Sequence, residues 1–155
     1  MKNEYLTKNP NQTKKIGEVL AKKILKTHLR KGAFIIGLEG DLGGGKTTFL
    51  QGFARGLGIK EKILSPTFVI MKKFKIRVDS CSNSRRFVYF YHIDCYRIQK
   101  PKEILDLGFR EIISSPKNIV AVEWSDRIRK ILPRGILILK FEFIDKNKRR
   151  VKCTG

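Results

Sequence analysis

The stretch GDLGGGKTTF, Gly40–Phe49, crowds four glycines around one lysine and two threonines. Its spacing, Gly40-x-x-x-x-Gly45-Lys46-Thr47, is that of a phosphate-binding loop, G-x-x-x-x-G-K-[ST]. Glycines let the backbone turn sharply and bring successive N–H groups close to phosphate oxygens. A following helix would aim the positive end of its dipole at the same place. Lys46 is a mobile point charge for β- and γ-phosphates, and the Thr47 hydroxyl is a hard oxygen suited to Mg²⁺. From average composition, a chance match in a chain of this length is on the order of a few per thousand.

The flanks supply the context such a loop needs. Ala33–Leu38 (AFIIGL) is a short apolar run bounded by glycines and reads as a buried strand. Phe49, Leu50, Phe53, Ala54 and Leu57 mark an amphipathic helix after the loop, closed by Gly56 and Gly58. Upstream, Ile16, Val19, Leu20, Ile24 and Leu25 return at helical spacing, so a helix is expected over Thr13–Leu29 with Asn11 or Thr13 as its cap. Downstream, Ser65–Val78 and Arg86–Ile98 read as two strands of a hairpin around the polar turn DSCSNSR. A short helix over Pro101–Ile113, a buried strand over Asn118–Trp124, a helical turn over Asp126–Leu132 and a last strand over Gly135–Phe143 complete the pattern. Helices alternating with apolar strands define an α/β fold: a three-layer P-loop sandwich on a partly parallel sheet with an inserted antiparallel hairpin. No internal repeat or low-complexity linker breaks residues 1–155, so one domain is expected.

A phosphate loop that uses Mg²⁺ needs a carboxylate nearby, usually at the end of a buried strand. Two strands offer one: NIVAVE ends at Glu123 and YFYHID at Asp94. Either acid could hold the metal or orient an attacking water. In H-I-D-C-Y-R, alternation would put His92, Asp94 and Tyr96 on one face if the strand continues. The hydroxyl-bearing Ser65-Pro66-Thr67-Phe68 lies where a switch segment could sense the γ-phosphate.

Composition narrows the class. The 155 residues carry a formal net charge of +20, a field that attracts polyanions. No apolar run is long enough to span a membrane, and the first fifteen or so residues lack a signal-peptide core. Cys81, Cys95 and Cys153 form no CxxC pair, which argues for reduced thiols rather than a zinc site or disulfide framework. The residues alone leave three rivals open. A small nucleotide or metabolite kinase would share the loop but needs a lid, for which little chain remains. A GTPase would usually carry N-K-x-D, whereas Asn147-Lys148-Arg149-Arg150 has no Asp. A basic RNA-binding protein could use ATP only to change shape.

GDLGGGKTT, SPTF, HIDCYR, the E-x-x-D-L-G-F run at Glu103–Phe109, and VEW followed by DRI and LP occur in one order from Thr13 to the last strand. Together they resemble the TsaE (YjeE) family of small P-loop ATPases. The family more often has alanine where this chain has Gly44. The resemblance implies a cytoplasmic protein that binds ATP and Mg²⁺ and hydrolyses ATP slowly. It implies work with the TsaB–TsaD complex in forming threonylcarbamoyladenosine at tRNA position 37, with tRNA reached through that complex. It also implies roles by residue. Gly40, Asp41, Leu42, Gly43, Gly44, Gly45, Lys46, Thr47 and Thr48 would hold the phosphates, and Thr47 and Glu123 would serve the metal. Lys46 would act on the transferred phosphate, Thr67 would belong to a switch segment and Asp94 would assist hydrolysis. Thr13, with Gly17 one turn later, matches the family's N-terminal nucleotide contact.

Overall fold

The computed structural model describes residues 4–28, 30–65, 69–77 and 86–155. Along the chain run β1 (Glu4–Thr7), α1 (Pro10–Leu25), β2 (Phe34–Gly40), α2 (Lys46–Gly56), β3 (Met71–Lys75) and β4 (Tyr89–Asp94). They are followed by α3 (Lys102–Leu105), α4 (Phe109–Ser114), β5 (Asn118–Glu123), a 3-10 segment (Ser125–Ile131), β6 (Leu137–Phe143) and β7 (Arg149–Thr154). Among the described residues seven strands form one mixed sheet in the order β1-β7-β6-β2-β5-β4-β3. β2 is parallel to both β5 and β6, and β4 is parallel to β5. The pairings β1–β7, β6–β7 and β3–β4 are antiparallel.

The central strands are apolar on both faces because both are covered. In β5, Ile119 and Ala121 face the layer of α1 and α2, while Val120 and Val122 face the layer of α3, α4 and the 3-10 segment. Ile36 and Ile35 of β2 divide in the same way. Each fully buried Ile, Leu or Phe contributes roughly 1.5–3 kcal/mol from leaving water. The parallel arrangement brings the C-terminal ends of β2, β4 and β5 to one edge of the sheet, where α/β folds bind ligands.

Glycines set the spacing of the first helical layer. A Cβ on Gly17 would run into the Phe49 carbonyl oxygen, and one on Gly52 into that of Lys14. A Cβ on Gly56 would stand 2.7 Å from the Glu18 carbonyl oxygen. The backbones of α1 and α2 therefore meet directly. α2 ends in a Schellman motif: Ile59 N–H donates to Ala54 O and Gly58 N–H to Arg55 O, both at 3.0 Å, with Gly58 at φ +72°.

Several expected boundaries move. α1 starts at Pro10 rather than Thr13 and ends at Leu25 rather than Leu29. Its cap is Asn9, whose side chain accepts from Gln12 N–H at 3.0 Å, with Pro10 in the first turn where a missing N–H does no harm. The Pro101–Ile113 helix is two, α3 and α4, separated by a turn in which Gly108 takes φ +81°. β6 is not the last strand. Arg149–Thr154 returns antiparallel beside it and is flanked by β1. β1 is only four residues long and β7 places three basic residues among its six, so apolar alternation is weak in both. The first expected hairpin strand, Ser65–Val78, shortens to β3; the DSCSNSR turn lies outside the described residues, as does Cys81.

Candidate nucleotide-binding site

β2 delivers the chain into the loop at Gly40, where φ is +124° and a Cβ would run into the Phe141 carbonyl oxygen. Gly43 and Gly45 follow at φ +73° and +98°. An L-residue held in the left-handed region costs about 1–2 kcal/mol, so glycine here is a backbone requirement. Gly44 differs. Its φ is ordinary, but a Cβ would stand 2.9 Å from Asp41 O and 3.2 Å from Phe141 Cβ. Alanine at this position is sterically tight in this chain, so the loop backbone would have to shift to admit it. No side chain caps α2, which leaves its first N–H groups directed at the loop's interior.

Lys46 is only 5% exposed. Its Nζ donates to Gly40 O at 2.8 Å and Asp41 O at 2.7 Å, and lies 4.2 Å from the Trp124 ring centroid. Burial pushes the ammonium below its usual range, while the Glu123, Asp41, Asp94 and Asp126 carboxylates pull it back. Thr47 Oγ1 donates to Glu123 Oε1 at 3.0 Å, and His92 Nε2 lies 3.1 Å from the same oxygen. A carboxylate oxygen accepts, so the His92 ring donates from Nε2. Both Glu123 and His92 are buried, and the histidine holds the carboxylate in place. This explains a histidine among the buried positions of β4, which are otherwise Phe90 and Ile93.

Asp94 stands level with Glu123 on the neighbouring strand, so the two strand-end acids are side by side. Asp94 Oδ2 accepts from Ser65 Oγ at 3.1 Å and Oδ1 from Tyr96 N–H at 2.9 Å. That second bond turns the chain at the end of β4, so the alternation that would align Tyr96 with His92 and Asp94 stops at Asp94. Tyr96 instead packs on Trp124, ring centroids 5.1 Å apart. A cleft of about 210 Å³ joins these groups; the loop from Leu42 to Thr48, Ser65, Asp94, Tyr96, Glu123 and Trp124 line it.

Thr13 reaches the loop from behind. A Cβ on Gly45 would stand 3.6 Å from Thr13 Cγ2, yet the Thr13 hydroxyl is buried 2.9 Å from that of Thr7 and does not line the cleft. Gly17 is occupied with helix packing. Thr67 lies outside the described residues.

Three features were not legible beforehand. Trp124, at φ 59° the one non-glycine with positive φ among the described residues, places its indole over Lys46. Arg149 Nε donates to Gly43 O at 2.8 Å and braces the loop from β7, a strand the sequence reading lacked. Glu39, buried behind the loop, accepts from Ser125 Oγ at 3.1 Å and Arg129 Nη2 at 2.6 Å. The E-G step before the loop and the S-D-R-I-R run after Trp124 were visible, but no local rule pairs residues so far apart.

A glycine loop between a buried parallel strand and a helix, with lysine, threonine and a strand-end carboxylate converging on its concave side, defines the P-loop nucleotide-binding class. The family model described as "Threonylcarbamoyl adenosine biosynthesis protein TsaE" matches residues 7–151. The Bacillus subtilis protein TsaE, a tRNA threonylcarbamoyladenosine biosynthesis protein, is 34% identical over 152 residues, spanning 98% of this chain and 85% of its own. The Rickettsia felis TsaE is 34% identical over 142 residues, 91% of this chain and 73% of its own. The Bacillus subtilis YdiB crystal structure superposes with a TM-score of 0.68 at 31% identity, covering 98% of this chain and 84% of that one. This chain belongs to the TsaE family.

Proposed function

We propose that residues 1–155 act as one P-loop ATPase domain that binds ATP with Mg²⁺ and hydrolyses it slowly. We place its work in the threonylcarbamoyladenosine modification of tRNA, with the TsaB–TsaD complex, in the cytoplasm. The observation that carries the reading is the Thr47–Glu123 hydrogen bond beside Lys46, which gathers a hydroxyl, a carboxylate and an ammonium at the glycine loop. Among the described residues no helix is long and apolar enough to cross a membrane.

The donor set suits Mg²⁺. Thr47 and Glu123 offer two hard oxygens side by side. That is the pattern for an ion held by one or two protein oxygens plus phosphate and water rather than by a closed cage. Mg²⁺ would supply neutralisation of charge on the β- and γ-phosphate oxygens. Lys46 would exchange its two carbonyl partners for phosphate oxygens, and the N–H groups of Gly45–Thr48 at the start of α2 would receive the remaining charge. Leu42 at the loop tip and the Asp41 carbonyl would shape the mouth of the cradle. Asp94, next to Glu123 but held by Ser65 rather than Thr47, would orient the attacking water. Thr67 would serve a γ-phosphate-sensing segment, and Thr13 would steady the loop from behind.

The cleft's lining supports the reading of slow turnover. Among the described residues no arginine lines it. Arg127 lies against Tyr96 and Trp124, 5.5 Å from each ring centroid, Arg134 lines a cleft near Gly32 and Ile113, and Arg149 is bonded to Gly43. A supplied arginine is worth ~10³–10⁵ in rate in related chemistry. A partner that adds such a group, or that acts through the Ser65–Phe68 segment, would therefore accelerate hydrolysis. Steady-state hydrolysis at saturating ATP, with and without TsaB–TsaD, is the test. Acceleration by the complex supports the reading; a high rate for the chain alone, indifferent to the partners, would overturn it in favour of a kinase-like activity.

A further inference from the structure

Among the described residues Lys46 is the one cation lining the nucleotide cleft, and one face of the sheet shows where part of the remaining charge is organised. β3 is the edge strand, and its register against β4 pairs Lys73 with Tyr91 and Lys75 with Tyr89. These four residues share one face. Both lysines are exposed and both tyrosines are half-buried. Lys73 Nζ lies 3.9 Å from the Tyr89 ring centroid and 5.7 Å from that of Tyr91. Among the described residues neither lysine forms an ion pair, although carboxylates pair with cations at several other places on the surface. β3 itself carries no acid, and the single acid of β4, Asp94, lies at the nucleotide end.

We propose that this edge face, Lys73 and Lys75 with Tyr89 and Tyr91, is a contact surface for single-stranded RNA. Aromatic rings on a sheet face stack unpaired bases, and flanking lysines follow the phosphate backbone. Lysines two apart on a strand are separated by about 6.6 Å, a step an extended phosphate backbone can follow. Lys73 now covers the Tyr89 ring. An exposed cation–π contact is weaker than base-on-aromatic stacking, so an incoming base displaces the ammonium, which is then free for phosphate. An acidic protein surface would satisfy the lysines but leave the tyrosine faces without a stacking partner, which is why RNA fits better. The neighbouring Tyr91 is packed against the inner core, so the platform is rigid on one side.

The inference goes beyond the reading above, in which RNA is reached through partner proteins, and it does not depend on nucleotide turnover. The experiment is a fluorescence-anisotropy titration of the full chain with a short fluorescein-labelled single-stranded RNA over a KCl series. Lys73→Gln/Lys75→Gln should lower the salt slope by about 1.4, two phosphate contacts at roughly 0.7 each. Tyr89→Leu should weaken binding at least about fivefold while Tyr89→Phe, which keeps the ring, stays near wild type. ATP hydrolysis by all three variants should equal that of the parent chain, so failure of the RNA titration leaves the ATPase reading standing. The proposal is overturned if the control Lys22→Gln/Lys23→Gln on α1 lowers the slope equally. It is also overturned if Tyr89→Leu binds as well as Tyr89→Phe, or if polyglutamate of matched charge displaces the labelled RNA as well as unlabelled RNA does.

Discussion

Two groups of glycines do opposite things in this molecule. Gly40, Gly43 and Gly45 occupy left-handed backbone and shape a cradle. Gly17, Gly52 and Gly56 have no positive φ and sit inside helices, where glycine costs roughly 0.5–1 kcal/mol against alanine. They are there because the backbones of α1 and α2 touch. The loop group needs the absence of a Cβ for conformation, the helical group for space. The helical group also serves the site, since α1 carries Thr13 to the back of the loop and α2 carries Lys46 and Thr47 to its front.

The sharpest break in this comparison is Gly52→Ala. The added methyl meets the Lys14 backbone, which no side-chain rotation can relieve, so the cost is expected at or above the upper end of the roughly 1–3 kcal/mol typical of overpacking. Urea denaturation should show a lower midpoint with ATP affinity of the folded fraction little changed. A neutral result would mean that α1 and α2 do not touch at this point. Gly43→Ala is the counterpart in the loop. Among the described residues nothing lies within 4 Å of its would-be Cβ, so φ +73° is what resists the change. About 1–2 kcal/mol is expected, read as weaker nucleotide binding or lower stability. An unchanged protein would show that the loop backbone is free to adopt another conformation.

A subtler test uses pH. Burial lowers the Lys46 pKa from the ordinary 10.5, with the four nearby carboxylates opposing the shift. Without nucleotide, the folded chain holds fewer protons at Lys46 than the unfolded chain between the lowered value and 10.5, so this group's contribution to stability rises with pH there. For ATP binding the sign reverses. Affinity should be full below the lowered pKa and fall as pH rises through it, earlier than an exposed lysine would dictate. Affinity constant up to the ordinary lysine range would remove Lys46 from the contact.

The difference between the two glycine groups also explains what could be read in advance. The loop was legible because its spacing is fixed by the size of a phosphate and its residues are consecutive. β2, α2, β4 and β5 were legible because an apolar run or helical period marks each. Glu123 and Asp94 were found as strand-end acids, though only the β4–β5 register shows that they are level with each other. The helix glycines, Arg149 and the Trp124–Lys46 contact were not legible, because each depends on two segments far apart in the chain. β1 and β7 escaped because Glu4–Thr7 at the sheet edge and Arg149–Thr154 beside it mix charge with apolar residues, so period-two alternation carries little signal.

The claim on which the rest stands is that the Gly40–Thr48 loop holds the phosphates of ATP through Lys46. Titration calorimetry of Mg·ATP into the chain and into Lys46→Ala measures it directly. Removing a charge-assisted phosphate contact should cost roughly 2–4 kcal/mol, so binding should weaken about 30- to 1,000-fold while the thermal transition of the free protein stays cooperative. Equal ATP affinity in the two proteins would contradict the account.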